Sequence, residues 1–443
     1  MYTSVIGKKF LEYYNKKNNL SLTAEELFRN VIFEIFYNHS KYLQSPANTP
    51  LFQLITQKKQ HDPAARVKAY EGIKYKIDNY SQSKIKLPDM SYALGYGSAD
   101  IDGTTSGQIT SMELPLEGED MYASWIGAAF SIGISGGLNF LIDKQEILEL
   151  LFEGFPVYRE YVEQNTGIDN KIETWNGIWL KHRLNKYYIA SQPKANFQPV
   201  KTAKDGSAKM ERPTWADLMF ALSICFPKDI VDAYIFSFGQ TNKTVGFVRL
   251  HLAEAKSILD IYNFLYGKKE GLHGFELAEM YQTEYGIAQI IERIGFIGLK
   301  ALEPKDFKKY MPGRYNSTDT LKLKDDDKSK TNYSIYITWV VAMLNNKSLL
   351  ELAEKIANSF KEYEKKGRTG KVTRFNEIKT LLSLRERKEI IDKLSIMAES
   401  EPDMSKDFNE VVNALMIDIS TDNIPLFITL IKFKYAIVNQ TKE

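Results

Sequence analysis

The chain carries one cysteine, Cys225, in 443 residues. That excludes an internal disulfide framework and any structural zinc site built on cysteine ligands. Lying in the apolar run MFALSICF, Cys225 is expected to be a small buried hydrophobe. Histidine is scarce too: the five, at 39, 61, 182, 251 and 273, show no H-x-x-x-H or related spacing. No metal site and no cofactor are therefore expected. Net charge is almost nil, with 58 Lys and Arg against 56 Asp and Glu, so any basic patch has to be local. Long apolar runs are missing apart from Tyr122–Ile142, which has no charge but holds four glycines, three serines and an asparagine. It reads as a buried helix, a Gly-Gly turn and a buried strand rather than a membrane span. The opening MYTSVIGKKFLEYYNKK is amphipathic and lacks the apolar centre of a signal peptide, so a soluble, cytoplasmic chain without a membrane partner is expected. No repeat of solenoid period is present.

What is abundant is aromatic: 26 Tyr, 24 Phe and 5 Trp. The character of the chain changes near residue 345. Before it, aromatic strand-like runs, glycine turns and short helices alternate; after it, apolar residues recur almost everywhere at helical spacing. The expected class is α+β, an irregular mixed α/β body with a hairpin followed by a C-terminal all-helical bundle. Three domains are expected: a helical N-terminal region with Gly/Ser-rich loops (1–118), an α/β core (119–345) and the bundle (346–443).

Several segments can be placed more closely. Leu27, Val31 and Ile35, with Phe28, Ile32 and Phe36 beside them, give a broad helical face. Residues 91–118 should be loops with short strands. A small-residue helix is expected over Ala123–Ile134, packed close to a sheet. Gly136-Gly137 then turns the chain into a strand over Leu138–Ile142, and Asp143 is placed to cap a helix over Gln145–Phe152. Residues 232–252 carry the clearest hairpin signal, two aromatic and β-branched runs around GQTNKT. The polar stretches 191–213 and 310–334 read as loops. In the tail, Leu349, Leu352, Ile356, Phe360 and Tyr363 form one stripe. Leu426, Leu430, Phe433 and Ile437 form another, behind the cap Thr421-Asp422-Asn423.

The sharpest motif is Gly133-Ile134-Ser135-Gly136-Gly137, a G-x-S-x-G match. An esterase elbow needs a strand-to-helix turn at the serine, with a histidine and an acid in reach. Asp232 with His251 or His273 would supply them in the right chain order. The segment around Ser135 instead has helix before it and strand after it, which favours a plain glycine turn. Glu113, Glu117, Glu119 and Asp120 fall on a Gly/Pro-containing loop and read as solvated, not as metal ligands. Asp325-Asp326-Asp327 reads as an exposed charge run.

Basic loops are the more consistent signal. Lys365, Lys366, Arg368, Lys371 and Arg374 surround two glycines between helices. Cations beside glycine-freed backbone N–H groups are what phosphate binding requires. Lys201, Lys204, Lys209 and Arg212 make a second basic loop. The hairpin turn adds Gln240, Asn242 and Lys243, residue types able to read base edges. Thr105 and Gln108 offer similar groups in a glycine-flanked loop.

This order of parts resembles the large subunit of a type I CRISPR effector complex (Cascade). The residues that carry the likeness are GTTSGQIT, SWIGAAFSIGISGGLNFLID, the hairpin FSFGQTNKTVGFVRLHL and the basic-looped bundle from about 346. The resemblance implies a non-catalytic subunit of an RNA-guided antiviral assembly. Such a subunit would contact guide RNA, target DNA and other subunits, and would test the motif flanking the target. It implies duplex contacts from Gln240, Asn242 and Lys243 and strand contacts from Lys365 to Arg374. Two alternatives stay open: a serine hydrolase using Ser135, and a protein-interaction module whose basic loops are merely solvated.

Overall fold

The computed structural model describes residues 2–44, 49–80, 117–165, 168, 171–202, 208–237, 243–267, 274–313, 321, 326–366 and 371–440. The expected loop at 91–116, with Thr105 and Gln108, lies outside them, as do Lys204, Gln240, Asn242, His273 and Arg368. The chain forms two compact units, residues 1–252 with 291–296, and residues 253–290 with 297–443. The class is α+β: one five-stranded sheet within a largely helical chain that ends in helices.

In the first unit, α1 (Tyr2–Asn18) is followed by α2 (Ala24–Leu27). A π-helical stretch (Phe28–Phe33) then leads into α3 (Glu34–Phe36), α4 (Pro50–Thr56) and α5 (Pro63–Asp78). The starts are encoded locally. Thr23 and Glu26 form a reciprocal capping box on α2, and Asp62 caps α5 with Pro63 at its first position. Next come α6 (Gly118–Ala128), β1 (Ile132–Ile134), β2 (Leu138–Ile142), α7 (Gln145–Gln164) and α8 (Ile172–Arg183). A two-stranded ribbon, β3 (Lys201–Thr202) with β4 (Ala208–Lys209), lies within the expected 191–213 loop, ahead of α9 (Trp215–Cys225). The expected hairpin is β5 (Ile230–Ser237) with β6 (Lys243–His251), antiparallel with a register shift at Ile235/Phe236. The sheet runs β1-β2-β5-β6-β7, where β7 is Phe296–Ile297, and β2 lies antiparallel to both β1 and β5.

Four expectations are corrected here. The helix foreseen to Ile134 stops at Ala128, and Ile132–Ile134 is a strand. The buried Asn176 side chain donates to the Ala129 and Ser131 carbonyls at 2.8 and 2.9 Å, which takes up the acceptors freed where the helix ends. The small residues of α6 meet a helix, not a sheet. A Cβ on Gly7 of α1 would lie 1.8 Å from the Ala123 carbonyl oxygen, and one on Gly127 would lie 1.8 Å from that of Thr3. Asp143 does not cap α7. Its N–H donates to the Asp232 carbonyl at 3.1 Å and its carboxylate accepts from Lys9, so Lys144 stands at the cap position without a side-chain bond. Cys225 is exposed, because it ends α9 instead of lying within it.

Aromatic rings fill the core of this unit. Phe10 packs on Phe130 at 4.5 Å and on Phe152 at 5.0 Å, while Trp175 stacks on Tyr158 at 4.4 Å. Burying each such ring contributes about 2 kcal/mol. The buried Arg159 donates to the carbonyls of Ile35, Phe36 and Lys41, closing the end of α3.

The second unit begins in α10 (Leu252–Tyr266), which starts on the last residue of the first. It continues through α11 (Gly274–Met280) to Ile290 in α12 (Ile287–Arg293), the rest of which belongs to the first unit, and resumes beyond Phe296 toward α13 (Asp327–Leu344). The expected loop at 310–334 is therefore helical from Asp327. Asp326, foreseen as part of an exposed charge run, accepts from the Ser329 N–H at 2.8 Å as the cap of α13. Asn345 ends α13 at φ 50°. Then follow α14 (Ser348–Lys365), α15 (Lys371–Leu381), α16 (Arg387–Ser400), α17 (Ser405–Asn413) and α18 (Ile424–Gln440). The foreseen stripes bury Leu349, Ile356, Phe360, Leu426, Leu430 and Phe433. Among the described residues no helix is long and apolar enough to cross a membrane.

Replacing Gly127 by Ala gains about 1 kcal/mol of helix propensity but forces two backbones apart, at a cost of about 3 kcal/mol. The expected result is a net fall of about 2 kcal/mol in unfolding free energy by urea titration. Gly136→Ala, strained at φ 92° but with open space around it, should cost only about 1 kcal/mol.

Candidate nucleic-acid interface

Helix α15 has an apolar face and a polar one, whereas α18 is buried on most sides up to Phe433 and carries its polar residues toward its C-terminal end. Ile378, Leu381 and Leu382 are buried, which turns Phe375, Asn376, Lys379, Thr380 and the following Ser383 outward at helical spacing. On α18 the residues flanking the seam, Lys432, Ala436, Asn439 and Gln440, lie on one side, with Tyr435 beside them. These stripes border one cleft of about 570 Å³, closed at one side by Leu321, whose carbonyl accepts from Gln440 at 2.9 Å.

The chemistry of this lining is one-sided. It offers two lysines, three amides, three hydroxyls and the ring of Phe375, 41% exposed, beside Leu321, Leu382 and Ala436, and among the described residues no carboxylate. Lys432 donates to the Tyr310 carbonyl at 3.3 Å, and Lys361 donates to the Asn439 side-chain oxygen at 2.8 Å, bringing a third cation to the rim. Glu364 is held by the Tyr435 hydroxyl at 2.9 Å, and burial keeps that hydroxyl well above the usual phenol range. An anion with a flat ring fits such a lining: lysines for phosphate, a phenyl face for stacking, amides for ring edges.

The residues singled out from the sequence are distributed differently. Arg374 donates to Glu401 at 2.6 Å and to the Tyr363 carbonyl at 3.1 Å, and lies 4.6 Å over the Tyr363 ring. Lys366 pairs with Glu401 at 3.6 Å and Asp403 at 3.3 Å. Both cations thus brace α14 and α15 against α16; they are held by carboxylates and are not presented together as a phosphate grip. Lys365 is exposed at the end of α14, and Lys371 opens α15. In the first unit, Lys201 pairs with Glu211 at 2.9 Å and stands opposite Lys209 in the ribbon. Arg212 is spent on Glu173 at 2.9 Å and the Thr174 hydroxyl at 3.1 Å. Lys243 is the first residue of β6.

Among the described residues no esterase geometry is found at Ser135. Its turn joins two antiparallel strands, and its N–H donates to the Pro213 carbonyl at 2.8 Å. Ser135 lies near the Asn139–Phe236 end of the sheet, whereas His251 pairs with Ile230. Six residues of strand separate those ends, about 20 Å, far beyond hydrogen-bond reach. Glu119 accepts from the Ala24 N–H at 2.7 Å and Asp120 pairs with Lys8 at 2.8 Å, so these acids of the expected solvated loop serve helix packing. His182 stacks on Phe197 at 4.2 Å and bonds the Pro193 carbonyl, and burial lowers its pKa. No group of three or more His, Cys, Asp or Glu poised for a metal occurs among the described residues.

Sequence reading missed Phe375, Asn376, Lys379, Lys432, Asn439 and Gln440. Each stripe is visible in helical spacing; that the two face one cleft is not. Comparison with protein families, with curated proteins and with solved structures returned no match.

If Arg374 is a brace, Arg374→Ala should lower stability by about 2 kcal/mol, because Glu401 is left part-buried and unpaired. A urea midpoint equal to that of the wild type would show instead that this cation is available for ligand.

Proposed function

We propose that the chain is a non-catalytic nucleic-acid-binding protein, gripping single-stranded or unstacked nucleic acid in the α15–α18 cleft. The observation that carries this reading is a lining with no carboxylate among the described residues, with Lys379 and Lys432 bordering the cleft beside Phe375. A volume of about 570 Å³ lies within the range of ligand sites. A base laid on Phe375 would gain about 1–3 kcal/mol from stacking. Asn376, Asn439 and Gln440 carry both donors and acceptors for its edges. Glu401 and Asp403 hold Lys366 and Arg374, so the cleft rather than the adjacent basic loop is the primary grip.

Within this reading the chain serves as the large subunit of an RNA-guided antiviral complex of the CRISPR type I class, acting in the cytoplasm. The support is the order of its parts, an α/β body with a long hairpin followed by a helical bundle. Guide RNA and target DNA are the polyanions, other subunits are the partners, and the hairpin turn bearing Gln240, Asn242 and Lys243 tests the flanking duplex.

The test is fluorescence anisotropy with a labelled 20-nucleotide single strand, RNA or DNA, from 50 to 200 mM salt. Lys379→Ala with Lys432→Ala should reduce the slope of log affinity against log salt by about 1.4. Phe375→Ala should weaken binding about tenfold with the slope retained. Wild-type protein that leaves the anisotropy unchanged at 50 mM salt overturns the reading.

A further inference from the structure

The outer face of the sheet in the first unit has the opposite chemistry. Its floor is three cross-strand pairs of the hairpin, Ile230 with His251, Asp232 with Arg249 and Tyr234 with Phe247. Tyr2 from α1 leans over them, with ring centroids 5.2 Å from Tyr234 and 5.1 Å from Phe247, edge-on to the latter. Phe296 closes the far side, 4.5 Å from the His251 ring. Of these residues, Tyr2, Asp232, Phe247, Arg249, His251 and Phe296 line an open cleft of about 740 Å³ with Asp143 at the end of β2.

Two features distinguish this face from ordinary surface. Phe247, which lines the cleft, is 62% exposed, as is Ile230 on the same face of the hairpin. Asp143 stands directly opposite Asp232, since Ile142 is paired with Ala233 and the Asp143 N–H donates to the Asp232 carbonyl. Like charges at directly opposed positions repel. Lys9 relieves Asp143, but Asp232 has Arg249 only at 3.6 Å, with both side chains mostly exposed, 64% and 72%. Asp232 is therefore a carboxylate beside an aromatic wall, answered by a loosely held, solvated cation.

We infer that this cleft docks an arginine-bearing segment of a partner protein, one guanidinium lying against Phe247 and Tyr2 while Asp232 accepts its paired N–H groups. A guanidinium is planar, weakly hydrated and stacks on aromatic faces, and its fork matches a carboxylate. A phosphate strand would meet Asp143 and Asp232 as well as Lys9 and Arg249, so this face gives it no net attraction. A free small cation would leave Ile230 and the outer ring of Phe247 uncovered, whereas a peptide covers both. The inference is independent of the α15–α18 cleft, which lies in the second unit.

The test uses the full chain and a fluorescein-labelled peptide with four arginines spaced by glycine and serine, followed by anisotropy. Asp232→Asn and Phe247→Ala should each weaken binding about tenfold with the far-ultraviolet circular dichroism spectrum unchanged. The same peptide with lysines should bind several-fold less tightly, and Asp422→Asn, an exposed acid of the second unit, should bind as the wild type does. Equal losses from Asp422→Asn and Asp232→Asn would reduce the effect to general charge attraction and overturn the assignment. So would undiminished binding by both cleft variants, or displacement of the peptide by free arginine at peptide-like concentrations.

Discussion

The first unit depends on how closely two helix backbones approach each other. Gly7 and Gly127 let α1 and α6 cross with the carbonyls of Thr3 and Ala123 lying where any β-carbon would be. At that separation weak Cα–H···O contacts and dense packing replace side-chain interdigitation. The crossing fixes everything else that α1 carries. Phe10 reaches Phe130 and Phe152 in the core, Lys9 reaches Asp143, and Tyr2 comes down on the hairpin. A shift of one helical turn would take Tyr2 off the sheet and leave Asp143 facing Asp232 without Lys9.

The second unit is organised by stripes instead. Buried leucine, isoleucine and phenylalanine seams hold α14 and α18 together, so the residues left over on each helix are polar by default. What matters for function is their sign. Carboxylates on this unit are mostly committed: Glu354 to Lys434, Glu364 to Tyr435, Glu401 to Arg374, Asp407 and Glu410 to Lys355. Among the described residues no carboxylate lines the cleft between α15 and α18, and such a segregation of charge within one nearly neutral chain sets up local fields that net charge conceals.

Periodicity and turn chemistry were legible in the sequence wherever they act locally. The β5–β6 hairpin, the seam of α18 and the shift to helix in the tail could all be read from spacing alone. Most of the failures share a cause, which is that the deciding partner is remote; the helix start at Asp326 and the exposed Cys225 are local exceptions. The helix expected to reach Ile134 ends early because Asn176, more than forty positions on, collects its carbonyls. Asp143 resembles a cap, but a strand partner claims its N–H. Arg374 and Lys366 look like a phosphate grip until Glu401 and Asp403 are seen beside them. Charge counted along a loop says nothing of what a neighbouring helix brings to it. For the same reason the cleft residues passed unnoticed, since half of them lie on α15 and half some sixty residues later.

One consequence follows from the first unit taking up residues 291–296 after the chain has left it at Leu252. During synthesis on a ribosome, the hairpin emerges long before Phe296, the ring that lies against His251. For the time needed to translate the intervening stretch, the nascent sheet is missing its last strand, and chains usually fold as their N-terminal parts appear. A truncation after residue 252 would make that unfinished state permanent, and such a fragment would expose a sheet edge open to pairing with its own copies.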